Sequence, residues 1–338
     1  SGQTYAWWPQ VDVSQLRQHV RLGEGMDVAS GHGALRLWSD IQRGQWTGGV
    51  ADVQLKDVNV RLGPQLAPLA FDRLSGRLGT RLTAKGFEVH TRDLAFVSAQ
   101  GLVWPGGNVA LQYSHPQAAR ATAAATPAQG QIKADHLDLQ ALRELALRLP
   151  LPVPVRAQLQ AQDIGGEVTH LELNWQGDWQ APSQYSAQAS ARQLHWLHTP
   201  APGTPPAISP PGVQGAQLTL DLNQNGGKVQ LDMDGNGALH LNGILEDPVV
   251  PVHRLRAQAR WQKTGPRWDV SQWQLQFANA DLQGQWHGQW RASDSGPGLL
   301  DLQGTIARAH ATRAHRYLPL SLPEPVRHYV RDAITQGS

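Results

Sequence analysis

The chain has 338 residues, of which 29 are basic and 27 acidic, for a formal charge of +2, and it has no cysteine. A charge that small, spread along the whole chain, is no electrostatic footprint for nucleic acid, and the absence of thiols excludes disulfides, thiolate metal sites and a cysteine nucleophile. Charged residues make up 17 % of the sequence, against a usual share of about 25 %, so glutamine and threonine must cover much of the polar surface.

Trp7-Trp8-Pro9 comes first, and residues 13–20 read as a short helix before Gly23 and Gly25. From there the period of two that marks half-buried strands dominates. Val53, Leu55, Val58, Val60 and Leu62 alternate with polar neighbours. Residues 74–78, 87–89, 94–96 and 109–113 continue at the roughly 8–12-residue spacing of a meandering sheet. Residues 115–131 are rich in Ala, Thr and Gln and read as a loop joining candidate subunits 1–114 and 131–338. The best helix is 138–149, with an Asp start, Leu142, Leu145 and Leu149 on one side, and a stop at Pro150. Pro150, Pro152 and Pro154 predict an extended exit from it.

Leu171, Leu173 and Trp175 then alternate towards Trp179, and their Trp-x-Gly-x-Trp ending recurs at 286–290. Residues 199–212, rich in proline, read as a linker or surface insertion. Leu218, Leu220 and Leu222, an Asn225-Gly226 turn, and Leu239 with Leu241 rebuild the strand pattern. Its sharpest form is 268–290. Trp273, Leu275 and Phe277 alternate with Gln272, Gln274 and Gln276. After a short loop, Leu282, Gly284, Trp286, Gly288 and Trp290 alternate with Gln283, Gln285, His287 and Gln289. Pairing Phe277 with Leu282 puts both apolar sets on one face and leaves a glutamine-rich back. Gly284 and Gly288 would permit the sheet to curve. Residues 309–317 and 326–334 turn helical again.

The expected fold is therefore mainly β, an elongated, twisted and curved antiparallel sheet continuous over 1–338, forming a hydrophobic groove, with a few short helices. No apolar run reaches the ~18 residues of a membrane span, and no signal peptide is evident. Asp232-Met-Asp234-Gly-Asn236-Gly237 copies half of a calcium loop, but Gly243 stands where the bidentate Glu belongs, so a hairpin turn is expected there. His195/His198 and His310/His315 lack a third ligand at metal spacing. With no nucleophile elbow, Walker loop or dinucleotide fingerprint, the chain reads as no enzyme, with no cofactor and no metal. Its 13 tryptophans are either core residues, a sugar platform or an amphiphile-binding surface.

The order of several short motifs carries a resemblance. Gly212-Val-Gln-Gly-Ala-Gln-Leu-Thr-Leu, Gly237-Ala-Leu-His-Leu, Asn279-Ala-Asp-Leu-Gln-Gly, Gly298-Leu-Leu-Asp-Leu-Gln-Gly and His315-Arg-Tyr-Leu-Pro resemble the YhdP branch of the AsmA-like proteins. The resemblance implies an internal segment of a long envelope protein in the periplasm of a Gram-negative bacterium, tied to the inner membrane by an N-terminal anchor. It also implies a groove that shields phospholipid or another amphiphile on its way to the outer membrane. The groove candidates are Trp273, Leu275, Phe277, Leu282 and Trp286, together with Leu171, Leu173, Trp175, Leu218, Leu220, Leu222, Leu239 and Leu241. A spacer with no ligand, or a carbohydrate-binding β-sandwich, stands as the alternative. The implied partners are lipid, the rest of the same chain and the inner membrane, with no nucleic acid.

Overall fold

The computed structural model describes residues 2–16, 27–61, 66–104, 106–116, 125–149, 153–198, 210–265, 267–293 and 298–334. Residues 17–20 of the first expected helix, the middle of the 115–131 loop and most of the 199–212 linker lie outside them. Of the described residues, 70 % are strand and 12 % helix, far below the ~30–35 % helix of an ordinary domain, which bears out the mainly β expectation.

The first half runs β1 (Gly2–Asp12), α1 (Val13–Leu16), β2 (Asp27–Gln42), β3 (Gln45–Arg61), β4 (Leu69–Thr83), β5 (Gly86–Ser98), β6 (Val103–Trp104), β7 (Asn108–Ser114), β8 (Gln129–Asp135), β9 (Leu137–Asp138), α2 (Leu139–Ala146) and α3 (Val153–Gln160). The second runs β10 (Gln162–Asp178), β11 (Ala181–His198), β12 (Gly212–Asn223), β13 (Gly226–His240), β14 (Val249–Thr264), β15 (Arg267–Ala278), β16 (Leu282–Arg291), β17 (Leu299–Ala309), a 3-10 helix (Ala311–Tyr317) and α4 (Glu324–Ala333). The chain divides into unit 1, residues 1–156 with 168–187, and unit 2, residues 157–167 with 188–338. The division falls inside β10 and β11, so each of these strands contributes to both units.

Unit 1 is an antiparallel meander in which β1 pairs with β2, and β2, β3, β4, β5, β7, β8 and β10 follow edge to edge. Because side chains alternate along a strand, directly opposed residues form rows across one face. One row is Leu37, Ala51, Leu78, Thr91, Val109, Ala134 and Leu171, and the next runs through Val89, Leu111, Ile132 and Leu173. At one end of this face, Phe96, Trp104, Ala134, Leu137 and Ala141 form a buried cluster, against which Leu142 and Leu145 of α2 pack. Asp138 starts that helix as the sequence predicts: its Oδ1 accepts the Ala141 N–H at 2.7 Å. The predicted extended exit is wrong. Residues 153–160 form α3, because Pro154 falls in its first turn, where the missing N–H has no helical partner to lose.

The other face of unit 1 is polar and ion-paired. Arg77 grips Asp52 on the neighbouring strand through Nε and Nη2, the latter at 2.9 Å to Oδ2, and its guanidinium lies over the Trp38 ring. The hydrogen bond from Arg77 holds the Asp52 carboxyl below the ordinary carboxylate range. A carboxyl depressed on folding adds stability above its unfolded value of about 4, and that contribution is lost as the pH falls through the folded value. The Asp52 resonance should therefore titrate below the ordinary value by NMR, and Arg77→Ala should return it upwards. Both groups are partly solvated, so the change in stability should be small.

Unit 2 continues the meander from β12 to β17. The turn expected at Asn225-Gly226 falls one residue earlier, at Gln224 and Asn225, with Gly226 opening β13 opposite Asn223, whose Oδ1 accepts the Asn225 N–H at 2.8 Å. The hairpin turn expected at 232–237 is absent. Those residues lie within β13 and form a bulge with Gly235 at φ +90°, and the register shifts between Asp234 and Gly237. Asp, Asn and Gly suit a bulge as well as a turn, since both need the left-handed conformation.

Candidate functional site

Six strands of unit 2, β12 to β17, align their apolar residues in rows. Leu218, Leu231, Ala257, Leu275, Trp286 and Gly304 stand opposite one another in succession. The next row is Leu220, Val229, Ala259, Trp273, Gly288 and Leu302, and the one beyond it is Leu222, Gly227, Trp261, Val270, Trp290 and Leu300. The opposite face carries a glutamine row through Gln230, Gln258, Gln274, His287 and Gln303. It is more charged than the hairpin alone suggests, for Arg256 pairs with Asp232 at 2.9 Å and Lys228 with Asp221 at 3.3 Å. One face is apolar and the other polar across the whole width.

The structure thus brings Leu218, Leu220, Leu222, Trp273, Leu275, Phe277 and Trp286 onto one face of unit 2. Leu171, Leu173 and Trp175 sit together in unit 1, opposite Ala134, Ile132 and Gly130. Leu239 pairs with Val250 beyond the bulge, and Leu241 lies just past β13, its N–H bonded to the Pro248 carbonyl at 2.7 Å. The groove candidates leave out Val229, Leu231, Trp261 and Leu302, although each alternates with polar neighbours and stands in these rows; Trp290 was already on the predicted face of the hairpin. The signal was present strand by strand, but register decides which strands share a row.

The register of the 268–290 hairpin differs from expectation. Phe277 stands opposite Gly284 rather than Leu282, so Leu275 faces Trp286 and Trp273 faces Gly288. The cause is Asn279. Its Oδ1 accepts the N–H groups of Asp281 at 2.9 Å and Leu282 at 2.8 Å, which widens the loop into an Asx turn. Leu282 consequently begins β16 and faces Ala309 on β17. A shift of two residues keeps every side chain on its predicted face.

Exposure changes along this face. Met233, Leu255 and Phe277 are 1–8 % exposed, Leu275 and Trp273 are half-buried, and Leu300 and Leu302 on β17 are more than half exposed. The buried end is closed by the segment after β17. Tyr317 of the 3-10 helix accepts a 2.7 Å hydrogen bond from Asn279 Nδ2 and donates to Asp281 Oδ2 at 3.1 Å. Arg316 joins Asp281 and Asp247, both at 2.9 Å, and Leu245 bridges to Pro319. Burial pushes the Tyr317 phenol above its ordinary value, so it remains a hydrogen-bond donor at any physiological pH. Asn279 is itself 3 % exposed and makes four hydrogen bonds through its side chain. Asn279→Leu should therefore lower stability by about 3 kcal/mol, since several buried partners would go unpaired. Urea unfolding followed by tryptophan fluorescence measures it, and Gln283→Leu on the exposed back should change little.

No three His, Asp or Glu side chains among the described residues are grouped so as to hold a metal ion. No helix among them is long and apolar enough to cross a membrane. The chemistry this face offers is apolar contact along its length, with polar groups confined to its back and its closed end. A family model described as YhdP protein matches residues 1–338, while no curated protein and no solved structure matches the chain.

Proposed function

The chain belongs to the YhdP family, and we propose that it shields phospholipid acyl chains along the apolar faces of its sheets during transport between the inner and outer membranes. The family is one of AsmA-like envelope proteins, and the periplasm is the compartment this reading requires. The observation that carries it is the run of apolar rows across six strands of unit 2, which remain partly open to solvent on Trp273, Leu275, Leu300 and Leu302.

An acyl chain of about 16 carbons loses on the order of 13 kcal/mol on exposure to water, at ~0.8 kcal/mol per CH₂. A carrier has to replace that contact along the whole path. Adjacent rows of Leu, Val and Trp do so without polar recognition, because burial of hydrocarbon is non-directional. Strands of about six residues already span ~20 Å, the length scale of an extended acyl chain. The ion-paired, glutamine-rich back keeps the opposite side wetted.

The test is extraction of the purified chain with organic solvent, followed by lipid mass spectrometry. Stoichiometric phospholipid supports the reading. A chain that carries none and takes up no hydrophobic dye would be a spacer, and the helices that close one end of each apolar face are what favours that second reading.

A further inference from the structure

Four tryptophans of the apolar faces stand directly opposite glycine on the neighbouring strand: Trp175 with Gly130, Trp261 with Gly227, Trp273 with Gly288, and Trp286 with Gly304. At Gly130 a β-carbon would collide with Cζ2, Cη2 and Cε2 of Trp175 and with nothing nearer. At Gly304 it would collide with Cδ1 of Trp286, and would lie 2.6 Å from Nε1 and 3.0 Å from Cγ. The far end of the same indole reaches back over Gly284, whose β-carbon would lie 2.6 Å from Cη2. One ring thus spans two glycines on adjacent strands, which places it along the sheet rather than upright from it. Trp175 lies so close that its Nε1 is buried with no hydrogen-bond partner among the described residues, a cost that an upright ring reaching water would avoid.

Neither Gly130 nor Gly304 has the positive φ that would itself demand glycine. At Gly227 and Gly288 backbone carbonyls crowd the β-carbon as well, so those two serve the strands besides the rings. At Gly130 and Gly304 the three nearest atoms all belong to the ring.

We infer that Gly130 and Gly304 are positioning residues of the acyl-chain path: each leaves the recess in which an indole lies down and becomes floor. The inference rests on the reading of the face given above. A methyl group at either position forces the ring to rise until the new carbon reaches an ordinary contact of 3.4 Å or more. The indole then stands as a ridge across rows that a chain must cross, while the strands beneath keep their conformation.

Binding of a phosphatidylcholine with one pyrene-labelled acyl chain to the 338-residue chain tests this. Gly304→Ala and Gly130→Ala should each weaken binding about tenfold, the loss of roughly two CH₂ groups of acyl contact where the raised ring lifts the chain, with a smaller relative effect on melting temperature. Trp286→Leu and Trp286→Leu/Gly304→Ala should bind alike, because the methyl costs nothing once the indole is gone. Equal binding by wild type and both glycine variants overturns the inference alone, as does a Gly304→Ala loss that persists beside Leu at 286. Should a single glycine variant unfold, the comparison within the Trp286→Leu background still decides. No binding by the wild type overturns the acyl-chain reading, and this inference falls with it.

Discussion

Leu275→Asp is expected to strip the chain of bound phospholipid while leaving it folded, and Gln274→Asp, one residue away, to do neither. Leu275 is half-buried between Ala257 and Trp286, in the middle of the apolar rows. Gln274 is exposed and lies between Gln258 and His287 on the other face. A carboxylate at 275 would meet hydrocarbon whenever lipid is present, at a cost of about 3 kcal/mol or more, which is a hundredfold or greater loss of affinity. With lipid absent the same carboxylate hydrates, because the face is open there, so the melting temperature should move by only a few degrees. Lipid mass spectrometry and thermal melting on the two variants read both effects. Equal lipid in the two would remove residue 275 from the path, and unfolding of Leu275→Asp would show that this part of the face is closed core.

Much of this architecture was legible as parity. The alternation of Trp273, Leu275 and Phe277 with glutamines predicts both the strand and its sidedness, since a period of two has only two faces to fill. The Asp138 cap and, to within one residue, the turn at Asn225 were legible because both rest on bonds between residues within a few positions of each other. What parity leaves open is register, which here depends on the Asn279 side chain and on Tyr317, 38 residues further along. Pro154 misled because proline ends a helix from within but starts one from its first turn. Gly284 was expected to bend the sheet. Its place beneath the Trp286 ring needs the neighbouring strand to be known, because the recess is completed by Gly304 on β17.

Phe277→Asp carries the largest expected effect on stability, although it lies on the same face as Leu275 and only two residues away. Phe277 is 8 % exposed, opposite Leu255 at 4 %, with Met233 at 1 % on the strand beyond. The Asn279–Tyr317–Asp281 network holds the 3-10 helix against this end, so water cannot reach an introduced carboxylate without displacing that segment. Truncating a buried Phe costs about 3–5 kcal/mol. Stranding a carboxyl in its place adds several more, unless it takes up a proton. The sum approaches the whole stability of an ordinary domain, about 5–15 kcal/mol. Phe277→Asp should therefore leave unit 2 unfolded at neutral pH, seen as collapse of its amide dispersion, with partial recovery below the pKa of the buried acid. Phe277→Leu should fold and lose only about 1–2 kcal/mol, because most of the volume remains. A folded, lipid-free Phe277→Asp would place residue 277 in the open path with Leu275, and the boundary between plug and path would then lie nearer to Asn279.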